Sequence, residues 1–210
     1  MTLRLRLAAL ALLALPLAGC VSFEVAPVAT MGCDAALAGA WLPESGDLGP
    51  GDKPLVASAE CVLSAPNGAG GPDTQHFSTF DFDGDHYIAV SADDDKAVTD
   101  TTGHVVETWP KTRVELYRYR LDGDRLQLWS ANVEVAQTVG GDGITVHTDA
   151  PIDPTTKQAA PSMFDHRSVY LAGERDAIAA LLRRKGDALY REPTPERVMA
   201  LRRVASGDAP

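Results

Sequence analysis

The sequence predicts a mainly β domain. It should be an antiparallel meander forming a barrel or sandwich, with one or two C-terminal α-helices packed against it. Three observations carry this expectation. Asp83-Gly84 and Asp122-Gly123 each stand between runs of alternating side chains, and Asp-Gly is favoured in two-residue hairpin turns because their central residues take positive φ. Short strand-like runs recur across residues 55–171, punctuated by Gly, Pro, Asn and Asp. After Glu174 the apolar period changes from two to about 3.6, the helical value.

Taken in order, the chain opens with Arg4 and Arg6 and a 12-residue apolar core, Leu7 to Ala18. A membrane-spanning helix needs roughly 20 such residues, and Pro16 interrupts this one early. A positive start, a short apolar core and small residues at its end make an export signal. The ending Leu17-Ala18-Gly19-Cys20 resembles the lipobox of bacterial lipoproteins. That resemblance implies cleavage before Cys20, a diacylglycerol on its thiol and an N-acyl chain on the new amine. No other cofactor is expected. It also implies a membrane partner through the lipid anchor, because two or three acyl chains hold where one is marginal. Val21 stands where Asp in that family favours inner-membrane retention, so the implied location is the periplasmic side of the outer membrane. The expected organisation is a signal at 1–19, the lipidated cysteine and a tether at 20–32, and one β-rich domain at 33–210 ending in helices.

Without its signal the chain carries 17 basic and 29 acidic side chains, a balance of −12. Nucleic acid is therefore not an expected partner, since its binding rests largely on phosphate neutralisation. Residues 20–173 hold most of the acidity, whereas 174–203 carry 8 basic and 5 acidic side chains. A basic C-terminal segment docking on its own acidic body explains this, and contact with anionic lipid is the sharper alternative. With Cys20 lipidated, Cys33 and Cys61 remain as an even pair in an oxidising compartment. They form either a disulfide, closing a loop of about 29 residues that stabilises by roughly 3–4 kcal/mol, or two separate buried thiols.

The domain begins at Ala36 to Leu42. Its Gly39-Ala40-Trp41 is similar to the opening of lipocalins, where the tryptophan closes one end of the barrel. The resemblance implies a barrel-end or ligand-contact role for Trp41 and an arginine near the last strand, for which Arg167 and Arg175 are the candidates. The family's Thr-Asp-Tyr has no counterpart here. As a large apolar side chain, Trp41 also caps a core with no ligand at all. Pro43 to Pro54 reads as a loop. Leu55 to Leu63 alternates as one strand with Leu55, Ala57, Ala59, Cys61 and Leu63 inward. Ser64 to Asp73 is another loop.

Gln75 to Phe82 and Asp85 to Ser91 form the first hairpin; Val114 to Leu121 and Asp124 to Ser130 form the second. The latter should set Tyr117, Tyr119, Gln127 and Trp129 on one face, with Arg118 and Arg120 turned away. Ala92 to Gly103, holding Asp93-Asp94-Asp95, reads as an acidic loop. His104 to Trp109 is a short strand, Asn132 to Val139 is strand or short helix, and Ile144 to Thr148 is a strand. Asp149 to Ser162 reads as a loop and Arg167 to Leu171 as the last strand. Residues 174–185 make a helix, with acidic residues first and basic last as the dipole favours, stopped by Gly186. Residues 195–205 make a second, with Thr194 as N-cap, Pro195 at its first turn and Val198, Leu201 and Val204 as its buried stripe. Val169 to Arg175 and the Leu-rich segment after it resemble proteobacterial envelope proteins of unknown role.

Chemistry-bearing patterns are sparse. Asp81, Asp83 and Asp85 resemble the start of a calcium loop, but His86 and Ala92 stand where that loop needs glycine and glutamate, so a hairpin turn is expected. His76, His86, His104, His147 and His166 lack metal-binding spacing, and no metal is expected. No Gly-x-Ser-x-Gly elbow or phosphate loop is present, and no catalytic residue is assigned. The expected function is a non-enzymatic envelope or partner-binding role. A lipocalin-like carrier of a small apolar ligand is second and an envelope enzyme third.

Overall fold

The computed structural model describes residues 20–44, 54–66, 72–150, 155, 168–190 and 198–204. Its centre is an eight-stranded antiparallel barrel. In chain order the staves are β2 (Gly39–Pro43), β3 (Leu55–Ala57), β4 (Val62–Pro66), β5 (Pro72–Phe82), β6 (Asp85–Ser91), β9 (Val114–Asp122), β10 (Arg125–Ser130) and β13 (Val198–Val204). Each pairs with the next, and β13 closes the ring by pairing with β2. Closure leaves no stave with an unpaired edge.

Two insertions interrupt this meander. Between β6 and β9 stands a separate hairpin of β7 (Lys96–Thr99) and β8 (Val105–Trp109). Between β10 and β13 come α1 (Val133–Ala136), β11 (Thr145–Thr148), β12 (Val169–Ala172) and α2 (Arg175–Tyr190). At the chain's start β1 (Val21–Phe23) pairs antiparallel with the first residues of β9 and parallel with β12, and β11 completes this small side sheet.

Cross-strand partners share a face, so the register divides the core in two. Inside the barrel lie Trp41, Leu55, Ala57, Ala65, Tyr119, Leu126 and Leu201, with Leu63, Phe77, Ile88, Leu121, Leu128 and Met199 partly buried against them. Outside, Phe80, Phe82, Tyr87 and Leu116 meet Val21, Phe23, Val169 and Leu171 of the side sheet and Ile178, Leu181, Leu182 and Leu189 of α2. α2 therefore packs on the barrel wall and side sheet through one apolar stripe, Ile178, Leu181, Leu182 and Leu189.

Several expectations are corrected. Residues 21–32 are not a free tether: Val21, Ser22, Phe23 and Ala26 are buried, and the fold begins one residue after Cys20. Residues 55–63 are not one strand but two, joined by a turn in which Ser58 N–H donates to the Val62 carbonyl and Cys61 N–H to the Ser58 carbonyl. Ala57 pairs with Leu63 across five intervening residues, an odd number, so Leu55, Ala57 and Leu63 keep the parity of a continuous strand. Residues 92–103 contain β7 rather than loop alone, and Val169–Ala172 is followed by one more strand. Gly186 does not stop α2. The helix continues to Tyr190, with Gly186 buried in it near Tyr87, whose hydroxyl is 3.8 Å from where a Cβ would sit, an ordinary contact distance.

The two tight hairpins differ. Asp83 and Gly84 both have positive φ, 54° and 88°, as a type I′ turn requires. In the second, Asp122 pairs with Arg125, so the loop is Gly123-Asp124 with Gly123 alone at positive φ, the type II′ pattern. The resulting register sets Tyr119 opposite Leu128 and Tyr117 opposite Ser130 inside, and Arg118 opposite Trp129 outside. The tyrosines and Trp129 therefore lie on opposite faces of the sheet.

The largest correction concerns 195–205. Residues 198–204 form a strand, not a helix, and residues 195–197 lie outside the described residues. Val198, Leu201 and Val204 suit a helical stripe, yet Met199, Leu201 and Arg203 face the barrel at period two. The missing partner of β2 and β10 decides between the two periods, and an inward arginine conceals the alternation.

Candidate functional site

The barrel has two dissimilar ends. At one, the connections are short: Ser58–Cys61, Asp83–Gly84 and Gly123–Asp124. Both insertions and the β2–β3 and β4–β5 connections leave the other end, which forms the mouth.

The short-turn end is closed from within. A one-turn 3-10 helix, Ala35–Leu37, crosses it, capped by Asp34 and inserting Leu37 into the core. Trp41 follows, 2% exposed, its indole N–H donating to the Leu37 carbonyl at 2.9 Å. Arg203 lies over the ring at 4.5 Å and donates to the carbonyls of Ala38 at 2.7 Å and Ala36 at 2.6 Å. Gly39 makes room for it: φ is +147°, and a Cβ would stand 3.2 Å from the guanidinium. Tyr119 donates to Asp34 at 2.8 Å; burial first and this carboxylate second hold the phenol well above its usual range. Cys33 and Cys61 are joined, tying the segment before this helix to the β3–β4 turn. Gly32 exchanges backbone bonds with Thr79 beside it.

Trp41 thus plugs the barrel end, and its ring is covered by Arg203. Neither candidate for an arginine near the last strand is seen to meet Trp41; the guanidinium over the ring is that of Arg203. Arg175 begins α2 instead, and Arg167 lies outside the described residues. The signal that identifies Arg203 is its place two residues after Leu201 and four after Met199, which is readable only once β13 is known to be a strand.

Cys20 lies at the other end, exposed and unbridged. Its carbonyl accepts from Val169 N–H at 2.8 Å. The β1–β9 register puts Cys20 beside Tyr117, on the sheet face that carries Glu115 and Tyr117. Surrounding protein first, and the Glu115 carboxylate second, push its thiol up to about 11. Tyr117 donates to Glu115 at 2.6 Å and is driven far above its ordinary range by burial and then by that charge.

Nearby, Lys96 donates to Asp149 at 2.6 Å and to Ser168 at 2.7 Å, with its ammonium 5.0 Å from the centre of the Trp109 ring. Ser168 beside a lysine suggests a nucleophile–base pair, but both are tied to Asp149, which accepts from Lys96 and from Ser168 N–H at 2.6 Å. The cluster instead fastens the β7–β8 hairpin to the side sheet, together with Trp109 against Tyr170 and His147 bonded to Glu107 at 2.6 Å.

The remaining candidates disperse. Asp81 pairs with His86 at 2.6 Å, Asp85 with Arg118 at 2.6 Å, and Asp83 sits in the turn. His104 bonds Thr102, His76 is on the outer wall of β5, and His166 lies outside the described residues. Among the described residues no three His, Cys, Asp or Glu side chains are grouped to hold a metal. A cleft of about 460 Å3 lies beside the Asp83-Gly84 turn, lined by Asp85, His86, Arg118, Arg120, Trp129 and Tyr190. Arg118 there is held by Asp85 and by Asp187 at 3.3 Å. Under the α2 packing, burial and then Asp85 push Tyr87 up to about 12, and burial raises Tyr190 well beyond its usual range. These phenols stay protonated at neutral pH.

No family model, curated protein or solved structure matches this chain.

Proposed function

We propose that this chain is a lipid-anchored protein of the outer membrane's periplasmic side, held by acyl groups on Cys20, whose barrel domain binds a partner in the envelope. The observation that carries this reading is the sequence Leu17-Ala18-Gly19-Cys20 directly before the first strand of the fold. Two features support it. Cys20 is the free cysteine while the other two are bridged, as the chemistry of an oxidising compartment favours. Asp81, Asp85, Lys96, Arg118 and Asp149 are paired, and the phenols of Tyr87, Tyr117, Tyr119 and Tyr190 are held protonated, which favours binding over catalysis.

A second reading, a carrier of a small apolar ligand, is favoured by the barrel itself. Eight strands enclose a space that side chains fill or that holds one small ligand. Here Phe77, Ile88, Leu128 and Met199 face inward and are only partly buried.

Replacing Cys20 with serine tests the anchor. The variant should leave the membrane fraction and lose the acyl mass on the mature N-terminal peptide; unchanged membrane association and mass would overturn it. Native mass spectrometry of the membrane-extracted protein separates the two roles, because a retained apolar small molecule selects the carrier and a retained protein selects the partner-binding role.

A further inference from the structure

Where Cys20 sits constrains how the domain meets a membrane. The segment after it is strand, so the lipid attachment point is within one residue of the rigid body. The Cys20 carbonyl holds Val169, and the adjoining Ser168 accepts from Lys96 at the base of the β7–β8 hairpin. From there the hairpin crosses the side sheet: Trp109 packs on Tyr170 of β12 and Glu107 binds His147 of β11. At strand spacings of about 4.8 Å, its far half lies on the order of 15 Å from Cys20. That half carries Val105 and Val106, consecutive residues on opposite faces of the strand, 59% and 53% exposed.

We infer that the hairpin-covered face at the barrel mouth lies against the phospholipid bilayer, with Val105 and Val106 as a second contact beside the anchor. This rests on the acylation of Cys20 proposed above. The α2 face, on the other side of the side sheet, and the Trp41–Arg203 closed end then point away. A long tether would let the domain tumble, whereas an anchor on the first strand fixes its tilt. Acidic groups near the hairpin accept from local donors and keep their charge, so the contact rests on the anchor and the two valines and not on attraction to headgroups. Asp100 accepts from Thr102 and from His104 N–H, and Asp95 from Lys111 N–H. The barrel mouth then opens toward lipid, so an apolar ligand would pass between bilayer and barrel without crossing bulk water.

The test uses full-length acylated protein in phosphatidylethanolamine–phosphatidylglycerol vesicles with brominated acyl chains, which quench nearby indoles. Val106→Trp on the hairpin and Lys185→Trp on the exposed side of α2 place reporters on opposite faces, with the unsubstituted protein supplying the background. The indole added at 106 should lose emission relative to vesicles without bromine, and the one added at 185 should not. Equal quenching, the reverse order, or no quenching of either in acylated protein overturns the orientation alone. Absence of acyl mass on Cys20 overturns the anchor and the orientation with it.

Discussion

Removing the Arg203 guanidinium is the sharpest test of how the barrel is closed. It makes two hydrogen bonds to backbone carbonyls, and a bond to a charged group contributes about 1.5–3 kcal/mol. The side chain is 31% exposed and Ala36 lies near solvent, so the lower figure suits one bond and less than that suits the other. Its position 4.5 Å over Trp41 adds roughly 1 kcal/mol of cation–π attraction. Arg203→Ala should therefore cost about 3–4 kcal/mol, a large share of the ~5–15 kcal/mol that holds a domain together. Arg203→Lys keeps a charge near the ring but has no planar fork to reach both carbonyls, so it should lose roughly half as much. Urea unfolding followed by tryptophan emission measures both, with Arg203→Ala also shifting Trp41 emission to the red as water reaches the ring. Gly39→Ala should destabilise too, because its φ and the 3.2 Å approach of Arg203 both disfavour a Cβ. A stability of Arg203→Ala within about 0.5 kcal/mol of the parent refutes the plug, since exposed arginines elsewhere on the barrel can be lost at that level.

Two further outcomes follow from the same geometry. The Cys33→Ser/Cys61→Ser variant should lose about 3–4 kcal/mol by chain entropy and shift its urea midpoint downward, while keeping the β-type circular dichroism of the parent. The domain should also be sensitive to alkali. Tyr87, Tyr117, Tyr119 and Tyr190 are all raised in the folded state, so the folded chain keeps protons that the unfolded chain releases above pH 10. Their contribution is complete below the unfolded value and is lost as pH rises through the folded ones, at about 1.4 kcal/mol per pH unit for each phenol. Thermal melts between pH 9 and about 12, with tyrosinate absorbance on the same samples, should show the melting temperature falling as phenolate appears cooperatively. Gradual phenolate appearance at the ordinary tyrosine value in folded protein would contradict the burial of these hydroxyls.

Local chemistry fixed much of this molecule in advance. Positive-φ demand marks Asp83-Gly84 as a turn whatever surrounds it, and the change to helical period after Glu174 needs only the chain itself. The pairing of Cys33 with Cys61 was foreseeable because a covalent bridge needs just two thiols within reach. The cysteine at residue 20 and the small residues before it are likewise a pattern of sequence, independent of the fold.

Tertiary structure decided what depends on a distant partner. Residues 198–204 satisfy helical and strand periods equally well, and only the vacant edges of β2 and β10 select the strand. Arg203 acquired its role with that choice, because an inward charge is tolerable only where the carbonyls of Ala36 and Ala38 and the face of Trp41 await it. Residues 21–23 look like linker until β9 and β12 pair with them, and Val21 is apolar for a packing reason independent of any sorting signal. Turns and bridges are settled over a few bonds, whereas closure of a barrel is settled by whichever segment completes the last row of backbone hydrogen bonds.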